Sequence, residues 1–143
     1  MPSYATPDTH VTGVTSGSIE PVAKRLEILT ELLPHVKCVA LIGGGAADSS
    51  RAAFKVARDT APELDLTVIE FTVGSNEDAV QVAKTLTPTE VDALFLIPSL
   101  HTVGVAGEVA AAARAPRLPF AVYQVEHVQQ HGALLSYGSS YFL

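Results

Sequence analysis

Two short runs constrain this chain more than anything else in it. Cys38-Val-Ala-Leu-Ile42 and Ala93-Leu-Phe-Leu-Ile97 are apolar at every position. A strand with one face in water alternates apolar and polar residues, whereas one covered on both faces reads as an unbroken apolar run. Two such runs imply a parallel sheet sandwiched between helices. Each is followed at once by turn-forming residues, Gly43-Gly-Gly-Ala-Ala-Asp-Ser-Ser50 after the first and Pro98-Ser-Leu-His-Thr102 after the second.

The segments between the runs repeat at helical spacing. Val22, Leu26, Leu29 and Leu33 recur every three or four residues behind Ser18, a candidate cap, and Pro34 stops the pattern. A second helix is expected from about Ser50 to Thr60, then a strand over Leu66–Val73. Ser75-Asn-Glu-Asp78 has the spacing of a capping box, followed by an apolar stripe from Ala79 to Leu86. An alanine-rich helix should run to about Arg114, with a strand over Phe120–Tyr123. A short helix near Glu126–Gln130 should close at Gly132, and a last strand should cover Ala133–Tyr137. The expected fold is therefore α/β and three-layered: a mainly parallel five-stranded sheet with helices on both faces. Residues 1–143 read as a single domain, with 1–17 as a lead-in or crossing segment.

Charge narrows the function. A net charge of −6 with scattered basic residues excludes the basic stripe that nucleic acid requires. Charged residues make up 17% of the chain, against roughly 25% in an average globular protein. A surface buried against another domain would explain part of that deficit. Cys38, the single cysteine, sits in the first apolar run and reads as a small buried hydrophobe. No stretch approaches the ~20 apolar residues of a membrane span. The opening Met1–Asp8 has neither the basic start nor the apolar core of a signal peptide, so the chain is expected to be cytoplasmic or trimmed from a secreted parent.

A parallel sheet binds ligands at the carboxyl ends of its strands, where loops feed helix starts. Four segments qualify as walls: Gly43–Ser50, Val73–Asn76, Pro98–Thr102 and Tyr123–His127. Within them the expected ligand contacts are Ser49, Ser50, Ser99, Thr102, Tyr123 and Gln124. Hydroxyls beside the free N–H groups of a helix start suit a carboxylate or a phosphate.

The catalytic readings fall short. Gly43-Gly44-Gly45 fails the dinucleotide pattern because Asp48 stands where its third glycine belongs, and no lysine follows as a phosphate loop requires. Asp48 lacks the acidic neighbours of a phospho-acceptor, so Asp48, Ser49 or Ser50 reads instead as a helix cap. His101, Glu126 and His127 stand at no metal-ligand spacing and read as solvated or hydrogen-bonding side chains. No Gly-x-Ser-x-Gly elbow is present. No cofactor, metal or catalytic residue is expected. Tyr123, Tyr137 and Tyr141 serve equally well as rim packing or as stacking surfaces.

Three segments then resemble one family. His10-Val-Thr-Gly-Val-Thr-Ser16, Lys24-Arg-Leu-Glu-Ile-Leu-Thr-Glu-Leu-Leu-Pro-His-Val-Lys-Cys-Val-Ala40 and Gly132-Ala-Leu-Leu-Ser-Tyr-Gly138, the last with Tyr123 and Glu126 upstream, are similar to the ABC-transporter substrate-binding proteins of the tryptophan/tyrosine-uptake type. The resemblance implies a type I periplasmic-binding-protein fold, of which this chain is similar to the second lobe only. It implies a non-catalytic lobe for an amino-acid-like ligand, an aromatic amino acid above all. It further implies a missing first lobe, an ABC permease as partner through the parent, and a periplasmic or extracytoplasmic parent. Gly43-Gly44-Gly45 departs from the Asn-Pro that the family often carries there. The alternatives are a ligand-sensing regulatory domain of the same fold and a flavodoxin-like or racemase-like enzyme. An orphaned cleft face should also favour a homo-oligomer.

Overall fold

The computed structural model describes residues 19, 21–45, 48–102 and 104–138. The fully apolar runs become central strands of a five-stranded sheet in which every pairing is parallel. The strands are β1 (Cys38–Gly44), β2 (Thr67–Val73), β3 (Ala93–Leu96), β4 (Phe120–Val122) and β5 (Leu135–Ser136), in spatial order β2-β1-β3-β4-β5. The helices are α1 (Val22–Leu32), α2 (Asp48–Thr60), α3 (Asn76–Thr85), α4 (Ala106–Arg114) and α5 (Val125–His131).

The strand order decides which helix covers which face. From β1 the chain steps one way to β2, then back across β1 to β3 and onward. Right-handed crossovers therefore put α2 on one face and α3 and α4 on the other. The core divides accordingly. Val39, Leu41, Phe95 and Ile97 pack with Leu26 and Leu29 of α1 and Phe54 of α2. Ala40, Ile42, Leu94 and Leu96 pack with Val80 of α3 and Val109 of α4. Successive residues of β1 and β3 thus point to opposite cores, which is why neither strand has a polar position. Burying each Leu, Ile or Phe contributes roughly 1.5–3 kcal/mol. At the edge, β2 has one side open, and its Thr67, Ile69 and Thr72 are exposed.

Turn chemistry supplies the punctuation. Ser75 Oγ accepts from the Asp78 N–H at 3.1 Å, as a capping residue should. Asp78 Oδ2 reaches back to the Gly74 N–H at 3.2 Å rather than to that of Ser75, so the box closes one residue early. Gly132, at φ 73°, is the left-handed cap of α5. Two expected caps differ. Pro21 holds the cap position of α1, with no side-chain bond, and Ser18 lies outside the described residues. Ser49 and Ser50 lie within the first turn of α2 rather than ahead of it, because the helix begins at Asp48.

One buried charge ties the chain ends of this unit together. Arg25 of α1 is 1% exposed, and its Nε donates to the Tyr137 carbonyl at 2.6 Å, just past β5. Burial pulls its guanidinium down from 12.5 to about 10, so it stays charged at neutral pH. No helix among the described residues is long and apolar enough to cross a membrane.

Candidate functional site

Reversal of strand order between β1 and β3 creates a switch point, where the two following connections leave in opposite directions and open a gap above the sheet. Gly44 closes β1 on one side of that gap and Ser99 begins the next connection on the other. The Gly44 N–H donates to Ser99 Oγ at 3.0 Å. Only glycine fits: a Cβ on Gly44 would lie 2.6 Å from Ser99 Oγ and 2.8 Å from the Cβ of His101. The next residue, Gly45, donates to the Val73 carbonyl at 2.9 Å, so three strand ends are bound to one another here.

Thr102 makes the second turn rigid. Its hydroxyl donates to the Ile97 carbonyl at 2.7 Å, accepts the Ser99 N–H at 3.0 Å and lies 3.0 Å from Ser99 Oγ. Thr102 is wholly buried, which makes it a holder of the turn that presents Ser99. Leu100, at the tip of that turn, is 79% exposed.

The other expected site residues surround this point. Ser49 is exposed in the first turn of α2. Ser50 is wholly buried, and its Oγ has no hydrogen-bond partner among the described residues. Tyr123, 8% exposed, directly follows β4, and Gln124 occupies the cap position of α5 without a side-chain capping bond. All six lie at or beyond strand carboxyl ends. The structure joins Ser99 directly to Thr102, while no hydrogen bond among the described residues links Ser49, Ser50 or Gln124 to that pair.

His101, Glu126 and His127 part company. His101 packs over Gly44, whereas His127 stands edge-on to Tyr123 with ring centroids 5.8 Å apart. His127 is not solvated: both ring nitrogens are buried without a hydrogen bond among the described residues. Burial holds its pKa below the ordinary 6.5, His131 adds to that, and Glu126 opposes it. Among the described residues no three His, Cys, Asp or Glu side chains gather as a metal would require. Tyr137 is half-exposed over α1, and Tyr141 lies outside the described residues.

Two grooves lie elsewhere. One of about 300 Å³ runs between α3 and α4, lined by Glu77, Lys84 and Glu108. Another of about 330 Å³ sits at the amino end of the sheet, among Leu33, Arg114, Arg117 and Leu134. Sequence reasoning missed the Gly44–Ser99 bond and the buried Arg25. The triple glycine was the one available sign of close backbone approach.

With this geometry in place, comparison decides the family. A family model described as ABC transporter substrate binding protein matches residues 1–143, the whole chain. The chain belongs to that family. Solved structures agree on the fold. An ABC domain from Streptococcus pneumonia in complex with L-Trp is similar at TM-score 0.71 and 19% identity, over 77% of this chain and 38% of that one. A ligand-free, open substrate binding protein from Clostridium difficile is similar at TM-score 0.67 and 17% identity, over 76% and 36%. A LacI family transcriptional regulator from Bifidobacterium animalis subsp. lactis is similar at TM-score 0.59 and 12% identity, over 78% and 44%. The chain thus spans about two fifths of the length of these relatives. No curated protein matches it.

Proposed function

We propose that this chain is one lobe of a two-lobed substrate-binding protein, the second in chain order, and that it holds half of a small-molecule site without catalysing a reaction. The family match over residues 1–143 carries this reading. The hydroxyls of Ser49, Ser50 and Ser99 at the switch point support it. A carboxylate suits the start of α2, where Ser49 is open to solvent and the buried Ser50 hydroxyl, unpaired among the described residues, lies directly behind it. Tyr123 and Gln124 flank the remainder of the ligand, and Thr102 keeps Ser99 in place. An amino acid fits this division into a charged head and a side chain, and the L-Trp complex of the Streptococcus relative favours an aromatic one. The parent would act outside the cytoplasmic membrane and deliver its ligand to an ABC permease.

The likeness to a LacI family regulator favours one second reading, a ligand-sensing domain of the same fold. A DNA-binding segment upstream in the parent would favour sensing, and a permease gene alongside would favour transport.

A lobe by itself should bind weakly. If the complete protein bound at micromolar strength, roughly −8 kcal/mol, half the contacts would leave roughly −4, in the millimolar range. Calorimetry with tryptophan, tyrosine and phenylalanine, beside light scattering over a concentration series, tests this. Millimolar heats from a chain that self-associates are expected. Sub-micromolar binding by a strict monomer would contradict the half-site reading.

A further inference from the structure

Three polar atoms in the first turn of α5 are buried without a hydrogen bond among the described residues: Glu126 Oε2 and both ring nitrogens of His127. Buried polar atoms in folded proteins are nearly always paired, so three in adjacent residues need a cause. The rings around them form a column. His127 stands at 86° to Tyr123 on one side and stacks on His131 on the other, with centroids 5.6 Å apart and planes 28° apart. His131 in turn lies against Gly107 of α4, where a Cβ would come within 3.0 Å of its ring. None of the residues of α5 is fully buried; the helix is seated by half-buried side chains, among them Val128 and the rings of this column.

Such a column tolerates neutral imidazoles and resists a charged one. A second proton on His127 would charge a buried ring whose nitrogens have no hydrogen-bond partner among the described residues. The charged and titratable groups facing it are few. Glu126 on the same helix favours the proton, and His131 opposes it. Tyr123, just past β4, presents its ring at 86° to that of His127. From α4, Arg114 adds a positive charge as its Nη2 donates to the His131 carbonyl at 3.0 Å, while Glu108 lines the groove toward α3. Ala133–Ser136, on the β5 side, has no titratable group.

We propose that α5 is a proton-operated latch: with His127 neutral, the stacked His127–His131 column seats α5 against Tyr123 and α4, and protonation of His127 unseats it, loosening Tyr123 and Gln124 at the ligand face. Only the last clause rests on the ligand-binding reading. Because the seated state disfavours the proton, the unseated state binds more of it. Seating is complete above the ordinary histidine value of 6.5 and is lost as pH falls below it.

Hydrogen exchange on the chain between pH 7.5 and 5.0, corrected for intrinsic rates, tests the latch. The protection of amides 127–131 should fall relative to α1 by up to about tenfold per pH unit below 6.5. His127→Phe keeps a ring against Tyr123 and takes no proton, so the fall should vanish. Should that variant not fold, an NMR titration of His127 in the unaltered chain decides. A midpoint at or above the ordinary histidine value overturns the latch, as does a parallel loss of protection in α1 and α5. A fall confined to α5 in a chain that binds no ligand at any pH supports the latch and sinks the ligand reading.

Discussion

The backbone N–H of Gly44 and the side-chain oxygen of Ser99, 3.0 Å apart, bridge the two connections that diverge from the centre of the sheet. The bond links β1 to the turn after β3 at the point where strand order reverses. It holds together the two walls on which the proposed site is built.

Gly44→Ala should be costly for a small change. The new methyl would meet Ser99 Oγ at 2.6 Å and the Cβ of His101 at 2.8 Å, so the turn must shift. A loss of about 1–3 kcal/mol is expected from urea denaturation, as for other overpacked sites. Ser99→Ala leaves the space intact and removes the acceptor, at about 1 kcal/mol.

Arg25 should prove far more important than its neighbour. It is buried and holds the Tyr137 carbonyl, so Arg25→Ala leaves a cavity and an unpaired acceptor, and should cost about 2–4 kcal/mol. Lys24 forms an exposed pair with Glu27, and Lys24→Ala should leave the melting curve nearly unchanged. Parallel thermal melts of the two variants check the contrast.

Asp92 should set part of the acid limit. Its Oδ2 accepts the N–H groups of Lys37 and Cys38, each at 2.8 Å, and these bonds hold its carboxyl below the ordinary 3.8. The unfolded chain therefore binds the proton more readily. The contribution of Asp92 is present above pH 3.8 and disappears as pH falls below it. Asp92→Asn should lower stability at neutral pH and flatten its decline between about pH 4 and pH 2 in denaturation series.

The fold was legible because its signals are local. The apolar runs at Cys38 and Ala93, the Ser75 cap and the Gly132 cap each depend on a few adjacent residues, and the structure has them where expected. Strand ends were less legible: β3 stops at Leu96 and β4 at Val122, because pairing depends on the neighbouring strand as well as on apolar character. The site depends on distant contacts. Gly44 and Ser99 are 55 residues apart, and nothing at either position names the other. Arg25 stands between Lys24 and Leu26 with nothing local to mark it as buried, yet the backbone just past β5 closes over it. His127 reads as polar, but the column of rings takes it away from water.

If the ligand binds at the carboxyl ends of the strands, amide chemical-shift mapping during titration with L-tryptophan to millimolar concentration will locate it there. Saturable shifts gathered at Gly43–Gly45, Ser49–Ser50, Ser99–Thr102 and Tyr123–Gln124 are expected, with the amino end of the sheet unmoved. Shifts centred instead on residues 34–37 and 116–119, at the opposite end, would contradict it.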